Sequence, residues 1–223
     1  MSLQRLFHQK LSPFSRKVRL ALAEKRVEVA LVEEKFWERR IDFLRLNPAG
    51  QVPVLEIDGL VLCDSTAICE YLDETRPDPA LLPQGASARA EARRLAAYFD
   101  DKFHGEVTVN LLHERVTKRL MKSGYPDSGN IKMGLSAIRY HLDYIDWLAD
   151  HRRWLAGDTM TIADLSAAAQ ISCLDYVGDV DWKRVPNAKD WYARIKSRPS
   201  FRSLLADSLP GFQVPQHYSD LDF

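Results

Sequence analysis

Four places in this chain stand out for reactive side chains or for backbone geometry. Ser12 and Ser15 flank Pro13-Phe14 near the N-terminus. Val52-Pro53 opens an apolar run with a residue that has no N–H for a ladder bond. Asp64-Ser65 stands where that run gives way to a helical pattern. A helix starting at Ser65 presents unpaired N–H groups and the positive end of its dipole, which suits a bound carboxylate. The same pair also suits plain helix capping, and Ser12 before Pro13 also reads as a turn residue. Lys35, Arg39 and Arg40 supply cations for an anionic group, or form a solvated face.

The remaining reactive types point to less. Cys63, Cys69 and Cys173 are odd in number, scattered and set in apolar segments, which is neither a disulfide framework nor a zinc spacing. They read as small core residues in a reducing compartment, and the expected location is the cytoplasm. The six histidines show no metal-ligand spacing, so no metal is expected. Lys+Arg 31 balances Asp+Glu 31, which argues against bulk binding to nucleic acid or an anionic membrane. No apolar run approaches the roughly 20 residues of a membrane span, and no signal-peptide core is present. With 46% hydrophobic residues in 223, the chain can bury a substantial core.

The elements that must position these residues change character along the chain. The spacing predicts strands at Arg5–His8, Val27–Lys35, Val54–Ile57 and Leu60–Cys63, and helices at Ser15–Lys25, Ile41–Leu46 and Ser65–Thr75. Ser15 is expected to cap the first helix. Asp58-Gly59 signals a hairpin, so the last two strands run antiparallel in a mixed sheet. After the proline-rich stretch the pattern is helical only: one long run over Ser87–Lys122, a second over Asn130–Arg153, another from Thr161, and shorter ones at Asn187–Lys196 and Ser200–Ala206. Thr161 to Asp164 forms a capping box, with Met160 and Leu165 as its staple. Leu95, Phe99, Phe103 and Val107 recur as a core face. The Arg115, Lys118, Arg119, Lys122 cluster favours the negative end of its helix. The expected organisation is an α/β unit over 1–77, a linker over 78–85, an all-helical unit over 86–207 and an extended tail over 208–223.

Several stretches together resemble the glutathione transferase family. Gln51-Val52-Pro53-Val54-Leu55 resembles its strand-opening cis proline. Asp64-Ser65-Thr66-Ala67-Ile68 resembles its acid-Ser-x-Ala-Ile helix start, and "GDTMTIADLSAAA" its helical-domain capping motif. The resemblance implies a thioredoxin-like α/β domain followed by an all-α domain. It also implies a glutathione site: Val52, flanked by Gln51 and Pro53, for the cysteinyl backbone; Ser65 for the γ-glutamyl carboxylate; and Asp64 for the ammonium, though Asp stands where the family usually has Glu or Gln. Lys35, Arg39 or Arg40 would hold the glycine carboxylate. Ser12 falls where serine-type members keep the hydroxyl that stabilises the sulfur as a thiolate. Ser12-Pro13-Phe14-Ser15 is similar to a glutaredoxin motif with both thiols replaced, which excludes dithiol redox chemistry there.

"ERVTKRLMKSGYPDS", "RYHLDYIDWLADHRRWLAGD" and "HYSDLDF" further resemble a subgroup of transferase-like proteins that bind the tubulin-like bacterial division protein. That subgroup implies a homodimer and partner contacts at Trp37, Tyr218, Asp220, Leu221, Asp222 and Phe223. Without the resemblance the last residues read as a disordered end. The expected role is therefore a weakly catalytic or non-catalytic regulator of the division filament. An active transferase conjugating glutathione to small electrophiles is the alternative, and a glutathione-dependent isomerase or dehalogenase shares the same motifs.

Overall fold

The computed structural model describes residues 4–221. β1 (Arg5–His8), α1 (Pro13–Glu24), β2 (Ala30–Glu33), α2 (Ile41–Leu46), β3 (Val54–Ile57), β4 (Leu60–Cys63) and α3 (Ser65–Thr75) build a four-stranded sheet ordered β2-β1-β3-β4. β1 and β2 are parallel because α1 carries the chain across between them, and β3 runs antiparallel to both β1 and β4. Asp58 and Gly59 have φ 52 and 79, the paired positive values that a two-residue hairpin turn requires. The Val52–Pro53 bond is cis, and so is Asp78–Pro79 in the connection to the helices.

Two local expectations need correction. β2 covers only Ala30–Glu33, because β1 offers just four residues of ladder, from Arg5 opposite Ala30 to His8 opposite Glu33. Ser15 does not cap α1. Pro13 takes the first helical position, for which its fixed φ is suited, so the cap falls on Ser12, whose Oγ accepts from the Ser15 N–H at 3.2 Å.

The helical part begins with α4 (Ala86–Ala97), passes into a π-helical stretch (Tyr98–Thr117) and ends its first run at α5 (Lys118–Met121). α6 (Ser128–His151), α7 (Ile162–Val177), α8 (Pro186–Lys196), α9 (Arg202–Leu205) and α10 (Gln216–Ser219) follow. α6 starts two residues earlier than its apolar period suggests, because Asp127 caps it through the Asn130 N–H at 2.8 Å. α7 is buried on all sides and forms the centre of this part. Its capping box is present, and the same buried Asp164 carboxylate also accepts from the Leu155 N–H and the Trp191 indole, each at 2.9 Å. Leu95, Phe99, Phe103 and Val107 are all fully buried, in one core that also contains Leu6, Val18 and Leu55 of the sheet layer.

α1 joins the two parts through charge as well as apolar area. Lys17 meets Asp100 at 2.5 Å, Arg16 and Arg19 meet Asp207 at 3.2 and 2.8 Å, and Glu24 takes both Arg198 nitrogens at 2.7 Å. Arg16, Lys17, Arg19 and Glu24 are all buried. Removing one partner of such a pair costs about 3–5 kcal/mol, because the other charge stays behind without compensation.

The end of the chain is not the loose tail that its irregular sequence suggests. α10 seats Tyr218 in the interior at 1% exposure, edge-on to Tyr176 at 5.3 Å between ring centres. Arg119 donates to the Gly211 carbonyl at 2.9 Å and lies over the Phe212 ring at 4.7 Å. The basic cluster therefore does more than complement a helix dipole, since Arg115 holds Asp179 and Lys118 holds Glu114. Tyr218 is no exposed anchor: its ring is apolar enough to fill the core, and its hydroxyl finds partners there. Asp220 and Leu221 stay exposed, while Asp222 and Phe223 lie outside the described residues.

Candidate functional site

A two-chambered cleft runs along the seam between the sheet layer and the helices. The polar chamber, about 660 Å³, is lined by Asn47, Pro53, Cys63, Asp64, Ser65, Glu70, Arg93, Asp100 and Asp101, among others. The second, about 330 Å³, is apolar and lies against Ser12, Phe36, Trp37, His104, Val109, His113, Val116 and Leu120. Phe14, Gln51 and Val52 line both, so the chambers are continuous.

The polar chamber is built around the start of α3. Asp64 is the cap: its Oδ1 accepts from the N–H groups of Thr66 and Ala67 at 2.8 and 3.0 Å. The cap bonds leave the Ser65 N–H unused, at the positive end of an 11-residue helix. Asp64 has φ 72 and ψ 127, a conformation that costs a non-glycine residue about 1–3 kcal/mol and clusters at ligand clamps. Val52 precedes the first β1–β3 ladder pair, Phe7 with Val54, so its backbone groups lie outside the sheet and beside the cleft. Gly50 (φ 65) lets the chain turn into this position, since a Cβ there would meet Leu44 Cδ2 at 2.9 Å. Among the described residues the single cation in the lining, Arg93, is held by Glu70 through two bonds of 2.7 and 3.2 Å. Asp100 is tied to Lys17 and accepts from Ser166 at 3.3 Å, while Lys17 also donates to Thr66 at 3.0 Å. The floor of the chamber is thereby pinned to both parts of the molecule.

In the apolar chamber the Ser12 hydroxyl has its acceptor role taken by the Ser15 N–H and keeps its own proton for donation. Burial lowers the pKa of His104, so its imidazole faces the chamber neutral, packed on Phe14 at 4.7 Å. Burial, and then the Asp64 charge, raises the Cys63 thiol, so it stays protonated and weakly nucleophilic. Among the described residues no group of three His, Cys, Asp or Glu is placed to hold a metal ion, and no helix is long and apolar enough to cross a membrane.

The structure thus brings Ser12, Gln51, Val52, Pro53, Asp64, Ser65 and Trp37 to one cleft. It does not bring Lys35, which points into solvent beside Glu38 at 3.5 Å, nor Arg40, which pairs with Glu34. Asp220 and Leu221 lie on the C-terminal segment, outside the cleft lining. Sequence reasoning missed Asp100, Asp101, His104, Thr108 and His113. The signal was the His104–Thr108 polar pair, one turn apart beside the apolar core face.

A thioredoxin-like sheet with a cis proline, a helix start aimed into a polar chamber and a hydroxyl at the first turn define a glutathione transferase fold. Residues 11–75 match the glutathione S-transferase N-terminal domain and residues 130–208 the glutathione S-transferase C-terminal domain. The chain belongs to the glutathione S-transferase superfamily. It is 48% identical to FtsZ-localized protein A of Caulobacter vibrioides over 228 aligned residues, 100% of both chains. The structure of FzlA from C. crescentus superposes with a TM-score of 0.95 at 47% identity, covering 99% of this chain and 100% of the other. A glutathione S-transferase from Rhodospirillum rubrum F11 superposes with a TM-score of 0.96 at 53% identity, over 99% and 100% of the two chains.

Proposed function

We propose that this protein is a division-associated member of the superfamily that binds the tubulin-like protein FtsZ in the cytoplasm and retains a glutathione cleft with little or no turnover. The observation that carries the reading is the end-to-end match to FtsZ-localized protein A, which takes in the C-terminal segment as well as both family domains. Pairing of two copies belongs to the same proposal, supported by α6, which exposes Met133, Tyr140 and Trp147. The partner surface is assigned to Trp37 and the last residues of the chain, with Asp220 and Asp222 providing charge and Leu221 and Phe223 apolar contact.

The cleft fits most of a glutathione molecule. The Ser65 N–H and hydroxyl suit the γ-glutamyl carboxylate, and the carboxylates of the polar chamber suit its ammonium. Val52 offers backbone groups to the cysteinyl unit, and Ser12 a hydroxyl to the sulfur. Of the cations named for the glycine carboxylate, Arg39 lies nearest the lining, its Nη1 3.2 Å from where a Gly50 Cβ would stand, while Lys35 and Arg40 are paired with Glu38 and Glu34. Bound glutathione would supply the thiolate for attack on an electrophile, and the protein would orient it and stabilise its charge. The apolar chamber beside Ser12 favours conjugation of small apolar electrophiles as the second reading.

The test of the partner assignment is Asp220→Lys, measured by binding to assembled FtsZ at low and high salt. Binding should weaken at low salt, with the difference shrinking as salt screens the charge. Equal binding by both proteins at low salt would remove Asp220 from the partner surface.

A further inference from the structure

The C-terminal segment reaches the cleft through one buried arginine. Arg16 donates from Nε to the Lys10 carbonyl at 2.8 Å, and from Nη1 to Ser172 Oγ at 2.8 Å and the Tyr218 hydroxyl at 3.1 Å. The Tyr218 hydroxyl donates onward to the Leu204 carbonyl at 3.1 Å. Lys10 leads directly into Leu11 and Ser12, which form part of the apolar chamber wall. Leu11, Val116 and Tyr218 also share one apolar cluster with Tyr176 and Leu209, and Leu120 packs against it. Val116 and Leu120 line the chamber as well. The side chains that seat Tyr218 on one side therefore shape the chamber on the other.

A guanidinium is a planar fork with fixed donor directions. Loss of Tyr218 leaves one Nη1–H of Arg16 unpaired while Ser172 and Asp207 hold the rest of the fork, and any shift of the fork toward a new acceptor moves Nε against the Lys10 carbonyl. We infer that Tyr218 and Arg16 are positioning residues for the Lys10–Ser12 loop, so that the C-terminal segment and the cleft form one coupled unit. A partner that draws Tyr218 from its seat loosens the loop and weakens ligand binding in the cleft, and by linkage the ligand weakens that partner by the same factor. The partner and ligand in this statement rest on the function proposed above. The coupling of segment to loop does not.

The test compares the full chain with Tyr218→Phe and with Thr161→Ala, a capping-box variant that lowers stability at the start of α7, at the opposite end of that helix from Cys173, which touches Leu11. Hydrogen exchange at the Leu11 and Ser12 amides, bonded to Gln9 at 2.8 and 3.0 Å, reads the loop. The Tyr218→Phe variant should exchange there about tenfold faster, and Thr161→Ala at the parent rate. Equal rates in all three proteins, or equal acceleration in both variants, would overturn the coupling. Calorimetric titration with glutathione is the second readout, where Kd should rise at least about threefold in Tyr218→Phe alone. Silence of the parent protein, with a responsive loop, would remove the glutathione reading and leave the coupling intact. An unchanged Kd in Tyr218→Phe would show that the segment does not position the cleft.

Discussion

Replacing Tyr218 tests whether the end of the chain belongs to the folded core. The side chain is 1% exposed, and its hydroxyl accepts from Arg16 and donates to the Leu204 carbonyl, each at 3.1 Å. Tyr218→Phe removes only the hydroxyl. It removes a hydrogen bond to the Arg16 charge, at about 1.5–3 kcal/mol, while the Leu204 carbonyl keeps the Asp207 N–H at 3.2 Å. Arg16 keeps Ser172 on the same nitrogen, so the net loss should be about 2 kcal/mol. Tyr218→Ala also empties the ring's place beside Tyr176, and truncating a buried aromatic costs about 3–5 kcal/mol. In a chain of this length each kcal/mol lowers Tm by roughly 2–4 °C. The Phe variant should therefore melt roughly 4–8 °C lower and the Ala variant roughly 6–20 °C lower, by circular dichroism or calorimetry. An Ala variant melting within about 2 °C of the parent would refute the burial of this segment.

Three further outcomes follow from the same geometry. His8 is buried and its pKa is lowered from 6.5 to about 4, chiefly by desolvation and then by Arg19. Between those values the unfolded chain binds the extra proton, so stability should fall as pH drops through that window, by about 3 kcal/mol in all. His8→Gln should flatten this part of the stability–pH curve, and an unchanged slope would contradict it. Ser12→Ala removes the α1 cap and should cost about 0.5–2 kcal/mol in urea melts. In the same variant any conjugation activity should fall about tenfold or more, and equal turnover would clear the hydroxyl of a role. Gly134→Ala should destabilise by about 1–3 kcal/mol although alanine favours helix, because the new Cβ would stand 2.7 Å from Leu111 Cγ; a higher urea midpoint would show that the two helices yield easily.

The sheet was largely legible because its signals are local. Alternation marked β1, β3 and β4 to the residue, and Asp58-Gly59 set the hairpin. Helix starts were legible where a cap was unmistakable, as at Thr161, and misplaced where two serines competed, as at Ser12 and Ser15. Burial of charge was not legible. Nothing in the sequence marks Arg16, Lys17, Arg19 and Glu24 as interior, yet each finds its partner more than 80 residues away. Tyr218 was misread for the same reason, since an irregular segment carries no period to show that one of its rings is inside. The cleft residues of the α/β part could be named from motifs, while the opposite wall came from a helix face whose polar residues look ordinary in sequence. Lys35 shows the converse, a plausible ligand by chemistry that the fold leaves in solvent.

Co-sedimentation with FtsZ tests the central claim most directly. The full-length protein is mixed with purified FtsZ, under conditions that assemble filaments and under conditions that do not, and the pellets are compared. The account predicts that the protein pellets with assembled filaments and stays in solution otherwise. Equal recovery in the supernatant with and without filaments would contradict it, and would leave the conjugation of small electrophiles as the function of this cleft.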